Sequence, residues 1–245
     1  MRGPLTLTVA QPPTVGHDVA ANALAHADAV RTAGAMRDGD AQPAAGQVVL
    51  FPEMSLTGYE LDAAPVDPDD ARLAPIVDAC RETGSLALVG APVTGDKGHR
   101  HIGVLAVDGG GARVAYRKMF LGGAEPAHFT PGPAPAVVEV AGWRLGLAVC
   151  KDTGVPERAA VTAALGIDAY LAGAVDAPHE SVVQQQRAAR VTAAHRVRVA
   201  IASFAGGTGG GYTETAGRSR IWAPDGRLVA EAGPQPGELA RATFS

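Results

Sequence analysis

The sequence predicts an α/β fold in layers. Helix-periodic stretches mostly separate short apolar strands or strand pairs, and several of those strands are apolar throughout rather than alternating, as strands buried on both faces are. Glycine, proline and aspartate punctuate the boundaries. LTLTVA (5–10) alternates as a first strand. VGHDVAANALAHADAVRTAGAM (15–36) carries apolar residues at helical spacing, with Gly/Asp punctuation after it. VVLFPE (48–53) is a short apolar strand ending in Pro-Glu. DPDDARLAPIVDACRETG (67–84) reads as a helix with acidic residues in its first turn and a glycine stop. SLALVGAPV (85–93) is another buried strand. HIGVLAVDGGGARVAYRK (101–118) reads as a hairpin around Asp-Gly-Gly-Gly. A long loop, 119–135, follows.

VVEVAGWRLGLAVC (137–150) gives two strands around Ala-Gly. PERAAVTAALG (156–166) has proline in its first turn and glycine at its end, the helix asymmetry expected of those residues. IDAYLAGAV (167–175) is a strand, 179–196 a helix and VRVAIASFAG (197–206) a strand. The glycine-rich GGTGGGYTETAG (206–217) reads as a mobile loop. No Gly-Lys-Ser/Thr ends it and no helix clearly follows, so it does not fit a phosphate loop. RSRIWAPDGRLVAEA (218–232) closes as a hairpin around Pro-Asp-Gly, with room for one more strand at the C-terminus. The two halves share a strand-helix rhythm, a sign of internal pseudo-symmetry.

The chain has 245 residues and reads as one domain, 1–245, large enough for a substantial core. A net charge of −4 with no basic run excludes nucleic acid as an expected partner. No stretch of 18 or more apolar residues occurs, so no membrane span is expected. The N-terminus lacks a long apolar run and reads as a first strand rather than a signal peptide. Two cysteines, Cys80 and Cys150, make no disulfide framework, and a reduced, cytoplasmic protein is expected. His99 and His101 read as lying in a turn and lack a third ligand at metal spacing, so no metal and no zinc site is expected.

Of the 21 basic residues only Lys97, Lys118 and Lys151 are lysines. Lysine is a compact charge that titrates when buried, a role arginine cannot fill. Lys97 lies in a polar turn and reads as a solvated charge. The other two fall near strand ends, where sites gather in α/β sheets. Glu53 ends VVLFPE, Lys118 follows VAYR, and Cys150 ends LGLAV. A carboxylate to take a thiol proton, an ammonium to hold an oxyanion and a thiol nucleophile form a hydrolase set. Taken singly, each has a plainer reading. A cysteine ending an apolar strand is commonly a small buried hydrophobe. Glu53 and Lys118 alone are ordinary strand-end charges. Their coincidence favours chemistry.

These residues sit in segments that resemble the nitrilase superfamily of carbon–nitrogen hydrolases over nearly the whole chain. AQPPTVGHDVAAN is similar to its opening strand and helix, VVLFPEMSLTGYE to its glutamate block, and LVGAPV followed by VAYRKMFL to its lysine block. EPAHFTPG resembles the loop with its second glutamate, LGLAVCKDTGVPE its cysteine block, and GRSRIWAPDGRLVAEA its terminal hairpin. Six blocks in order are highly specific. The resemblance implies a four-layer αββα sandwich without cofactor or metal. It implies homodimers or higher oligomers paired through 156–166 and 179–196. By the same resemblance Glu53 is the general base, Lys118 the oxyanion-stabilising lysine, Cys150 the nucleophile and Glu125 a second glutamate. The Lys151 N–H is then a second oxyanion donor.

True nitrilases usually have Trp-Glu after the cysteine and a longer C-terminal tail. Lys-Asp here, and an end at Ser245, favour a small-molecule amide over a nitrile. N-carbamoyl (ureido acid) hydrolysis and a non-catalytic dimeric binding or scaffold role are the alternatives. AGAVDAP places the small residues Ala174 and Val175 beside Asp176, as a roomier pocket would need, and Tyr59 is a further candidate lining residue. Lys151 has two readings. Its ammonium recognises a substrate carboxylate or lowers the thiol pKa, or it points away to pair with Asp152 or Glu157. Side-chain alternation favours the second. His128, near Glu125, reads as a surface histidine.

Overall fold

The computed structural model describes residues 2–36 and 46–245. The Gly/Asp punctuation read after the first helix lies outside the described residues. Two six-stranded sheets pack face to face. In the first, β1 (Leu5–Ala10), β2 (Gly46–Leu50) and β3 (Ser85–Thr94) run parallel, joined by α1 (Val19–Ala35) and α2 (Ala74–Thr83). The antiparallel strands β4 (Arg100–Asp108) and β5 (Gly111–Arg117) extend β3.

The second sheet repeats the plan. β6 (Val137–Val140) pairs antiparallel with β7 (Trp143–Val149), and β7 is followed by α3 (Pro156–Ala163), β8 (Ala169–Ala174), α4 (Ser181–His195) and β9 (Arg198–Ser203). Strands β7, β8 and β9 run parallel. A short ladder of β10 (Ala205–Gly206) with β11 (Thr215–Ala216) follows, and β12 (Arg220–Trp222) and β13 (Leu228–Glu231) complete this sheet. The last strand, β14 (Leu239–Phe244), crosses back to pair antiparallel with β1. The shared rhythm of the two halves is therefore two βαβαβ units, one per sheet.

Three apolar layers make this a four-layer αββα sandwich. Leu5, Leu7, Leu88, Leu145, Leu147 and Leu171 fill the space between the sheets. The alternate residues Val49, Ala87, Val89 and Leu105 pack under Ala27, Val30 and Ile76 of α1 and α2. Tyr170, Ala172 and Ile201 pack under Ala159, Ala188 and Val191 of α3 and α4. Each central strand is thus buried on both faces, which is why its sequence is apolar throughout. Cys80 belongs to the α2 layer, with its Sγ on Val107 O. Among the described residues no helix is long and apolar enough to cross a membrane.

Three elements differ from the sequence reading. The acidic residues 67–70 precede the second helix, and Asp70 accepts from Arg72 N to open a short 3-10 turn, because Pro75 is accommodated only near the start of α2. His101 is in β4 rather than in a turn, and its Nδ1 bonds to Thr130 O at 2.7 Å. The glycine-rich loop is tied down: Thr208 Oγ1 and Gly209 N both donate to Gly58 O, at 2.6 and 2.7 Å.

His26 on α1 is fully buried, donating from Nδ1 to Asn22 O at 2.6 Å and accepting at Nε2 from Ser55 Oγ at 2.8 Å. Burial lowers its pKa to about 4. The unfolded chain then takes up this proton more readily, so stability falls as pH drops through 6.5 towards 4, by up to about 3 kcal/mol. Thermal melts across this range are expected to show the loss, and His26→Gln should flatten it.

Candidate active site

The ends of β2, β5 and β7 converge. Glu53 lies three residues beyond β2, in a backbone segment held between the two sheets. Gly90 of β3 and Gly173 of β8 press against it from either side. A Cβ on Gly90 would sit 2.3 Å from Pro52 O, and one on Gly173 2.7 Å from Phe51 O. Neither backbone can yield without moving the glutamate. Gly173→Ala is expected to cost about 1–3 kcal/mol and to lower turnover in the folded protein; melting curves alongside active-site titration measure both.

Lys118 directly follows β5 and is fully buried. Its Nζ lies 2.6 Å from Glu53 Oε1 and 2.7 and 2.8 Å from the two oxygens of Glu125. Burial acts to lower the lysine pKa, but the charges of Glu53, of the Cys150 sulfur when ionised and of Glu125 outweigh it and the net shift is upward. The ammonium is therefore a fixed charge. Glu125 opens a short 3-10 turn in the long loop and has donors of its own. Tyr59 OH reaches Oε1 at 2.8 Å and Gly122 N reaches Oε2 at 2.7 Å.

Burial raises the Glu53 pKa far above the ordinary carboxylate range, with Lys118 pulling it back and Glu125 adding to the rise. Its Oε2 is buried and, among the described residues, meets no N–H or O–H donor, leaving it to the Cys150 thiol beside it. The same thiol also reaches Val175 O, at 3.5 Å. Desolvation, then Glu53, hold the thiol pKa well above its usual value, with Lys118 opposing. Once pH exceeds the raised pKa of Glu53, this is a neutral thiol next to a carboxylate able to receive its proton.

Cys150 has φ +38, in the left-handed region that non-glycine residues rarely adopt, and it begins a 3-10 turn, Cys150–Gly154. Asp152 holds this turn. It is fully buried, its Oδ2 accepts from Val149 N at 2.9 Å and from Tyr116 OH at 2.8 Å, and its Oδ1 accepts from Phe120 N at 3.0 Å. Arg158, also buried, donates to Tyr116 OH and Leu147 O. One carboxylate thus ties the cysteine turn to the segment that bears Lys118. Asp152 therefore has no role as a partner of Lys151, which is exposed at the rim. The anchoring role was not read from the sequence, although an acidic side chain two residues into a strand-to-turn corner is a capping signal.

Lys118, Glu125 and Cys150 open on a cavity of about 200 Å³ that Tyr59, Lys151 and Val175 also line, whereas Glu53 is buried outside this lining. It is smaller than the 300–1,000 Å³ or so of pockets for drug-sized ligands, and it suits a small molecule. Ala174, expected beside Val175, instead packs in the layer under α3 and α4, because adjacent strand residues face opposite ways. Asp176, Glu180, Arg187 and Tyr212 also line the cavity. Arg187 and Glu180 come from the α4 region and gave no local signal. Tyr212, the aromatic residue of the glycine-rich loop, stands edge-on to Tyr59 at 5.8 Å. His128 is exposed outside this lining. The arrangement can ionise a thiol, hold a negative oxygen beside it and move a proton through one carboxylate.

A family model described as carbon-nitrogen hydrolase matches residues 6–245. The chain is 30% identical over 198 residues to a protein of Pseudomonas protegens described as "Hydrolase in pqqF 5'region", covering 76% of this chain and 67% of that protein. Its fold is similar to that of Nit3 of Saccharomyces cerevisiae, a member of branch 10 of the nitrilase superfamily. The TM-score is 0.84 at 19% identity, over 99% of this chain and 90% of that one. A mutant of the amidase from Nesterenkonia sp. AN1, with the acetamide moiety of fluoroacetamide added covalently at its active-site cysteine, matches with a TM-score of 0.78 at 26% identity. That match covers 98% of this chain and 89% of the amidase.

Proposed function

The chain belongs to the carbon–nitrogen hydrolase family, and from that premise we propose that it is a thiol amidohydrolase acting on a small, non-peptide amide. The observation that carries this reading is the buried contact of Lys118 with Glu53 and Glu125 beside the Cys150 thiol. The similar amidase, with its covalently modified cysteine, supports it.

In the proposed reaction Glu53 Oε2 takes the thiol proton and Sγ attacks the amide carbon. Lys118 Nζ and the backbone N–H of Lys151 hold the oxyanion. Lys118 has three protons, all directed at carboxylates in the resting site. It can give one to the substrate because Tyr59 and Gly122 keep both oxygens of Glu125 bonded. The Lys151 N–H lies in the first turn of the 3-10 segment, where backbone donors lack partners within the helix. As the C–N bond breaks, Glu53 returns its proton to the leaving nitrogen. A thioester remains, and water deprotonated by Glu53 releases the acid and restores the thiol. A glutamate whose pKa is raised to about 8 suits both duties, since it must gain and lose a proton in each turnover.

Pairing of two copies through α3 and α4 is part of this proposal. The exposed apolar side chains of Val161 and Leu165, in and after α3, and of Val182 and Val183, in α4, support it. The whole chain acts in it as one hydrolase domain.

The test is ammonia release from a panel of linear amides, ureido acids and nitriles. Release from amides with a matching acyl mass on Cys150 supports the proposal. Release from ureido acids alone moves the assignment to carbamoyl hydrolysis. No release from any compound, together with no acylation, refutes a hydrolase acting on these classes.

A further inference from the structure

The reaction leaves one deeply buried charge of the cavity unused. Asp176 follows Val175, whose carbonyl accepts the Cys150 thiol, and it is only 4% exposed. Its backbone is fixed by Ala216 N, which donates to Asp176 O at 2.9 Å. Its Oδ2 accepts from Gln184 Nε2 at 3.0 Å. Its Oδ1 has the Arg187 guanidinium at 3.8 Å, beyond hydrogen-bond length. Arg187 lies over Gly154, where a Cβ would meet its Nε at 3.4 Å. The other arginine of this network, Arg220, bonds the far side of Gln184 and pairs with Glu231 at 2.9 Å.

Arg187 thus pairs with Oδ1 by charge without a hydrogen bond, which leaves this oxygen able to accept one from a ligand. The cavity supplies none from its catalytic lysine, since Lys118 is held by two glutamates. Lys151 stands exposed at the rim. Asp176 is also close enough to the thiol for its charge to oppose ionisation of Cys150. A small amide bound with its carbonyl at Cys150 therefore finds an acceptor on the adjoining wall.

We propose that Asp176 selects the substrate, its Oδ1 accepting a hydrogen bond from a protonated amine, so that the preferred substrates are small amides bearing an ammonium group. This rests on the amidohydrolase reading and names its substrate class. A cation placed there also offsets the negative charge that works against thiolate formation, so binding and nucleophile activation reinforce each other.

The test compares three amides of similar length: β-alaninamide, which is cationic, butyramide, which is neutral, and succinamate, which is anionic. kcat/KM is measured for the native protein and for Asp176→Asn. Charge-assisted hydrogen bonding predicts that β-alaninamide exceeds butyramide by about 10–100-fold, and that the ratio falls to near one in the variant. A ratio taken within one preparation is independent of its folded fraction. A ratio near one in the native protein, a ratio that Asp176→Asn leaves unchanged, or a preference for succinamate overturns the proposal. The last result assigns selection to Lys151 and Arg187. Calorimetry of the same ligands with Cys150→Ala, with and without Asp176→Asn, separates binding from chemistry. Selective binding without turnover by the native protein would reject the hydrolase reading and keep cation selection. Equal binding of cationic and neutral ligands would reject selection whatever the turnover.

Discussion

Cys150→Ala is expected to lower amide turnover by on the order of 10⁴-fold or more, because the thioester route requires the sulfur and no neighbouring group replaces it. Lys118 and the Lys151 N–H remain to polarise a bound carbonyl, so substrate binding should largely survive. The fold should survive as well. The thiol's hydrogen bond to Val175 O is weak, whereas the turn itself is held by Asp152 through Val149 N, Tyr116 and Phe120. Alanine at φ +38 retains the strain that cysteine already bears. The decisive measurement is single-turnover kinetics with mass analysis of the intact chain. The native protein should gain an acyl mass that the variant never shows. Residual turnover within tenfold of the native rate would remove Cys150 from the role of nucleophile.

Glu53→Gln is expected to lower kcat/KM by roughly 10²–10⁴-fold, the range for loss of a general base. Glutamine keeps the shape between Gly90 and Gly173 but cannot take the thiol proton. It also removes one of the two carboxylates that balance Lys118, leaving Glu125 as the partner. The pH profile provides the sharper signature. The basic form of Glu53 is required, and burial raises its pKa. Rate should therefore climb with pH as the proton leaves, along a limb above the ordinary carboxylate range of about 4.3. Below that limb the carboxyl is protonated and cannot act as base. Glu53→Gln should lose this limb. A native profile flat from pH 5 to 9, or an unchanged limb in the variant, would assign proton transfer to another group.

How much of this was legible beforehand depended on the range of the interactions. Strands buried on both faces must be apolar throughout, so VVL, LALV and LGLAV announced themselves locally. Glu53 and Cys150 were readable because each follows such a strand, whereas Lys118 follows the half-exposed edge strand β5 and was readable as one of only three lysines. Asp152 was visible as a residue, but its three donors come from positions 116, 120 and 149. Its anchoring function appears only when β5 and β7 lie together. Tyr212 was hidden for a similar reason. Its glycine-rich surroundings suggested mobility, whereas Gly58, 150 residues before Thr208, supplies the carbonyl that holds the loop. Ala174 and Val175 were read as a pair because they are adjacent, yet strand pleating sends them to opposite layers.

By itself the sequence determined the layered α/β plan, the strand ends that carry the reactive groups, and the chemical kinds of those groups. Hydrophobic periodicity and side-chain chemistry are local properties, and a chain writes them directly. Tertiary structure alone decided that β14 returns to the first sheet, that two glycines from different sheets fix Glu53, and that Lys118 lies between two glutamates. It also decided that Asp176 keeps an oxygen beyond hydrogen-bond reach of Arg187. Those outcomes depend on distances between residues far apart in the chain, and on burial that strengthens charge interactions once water is excluded.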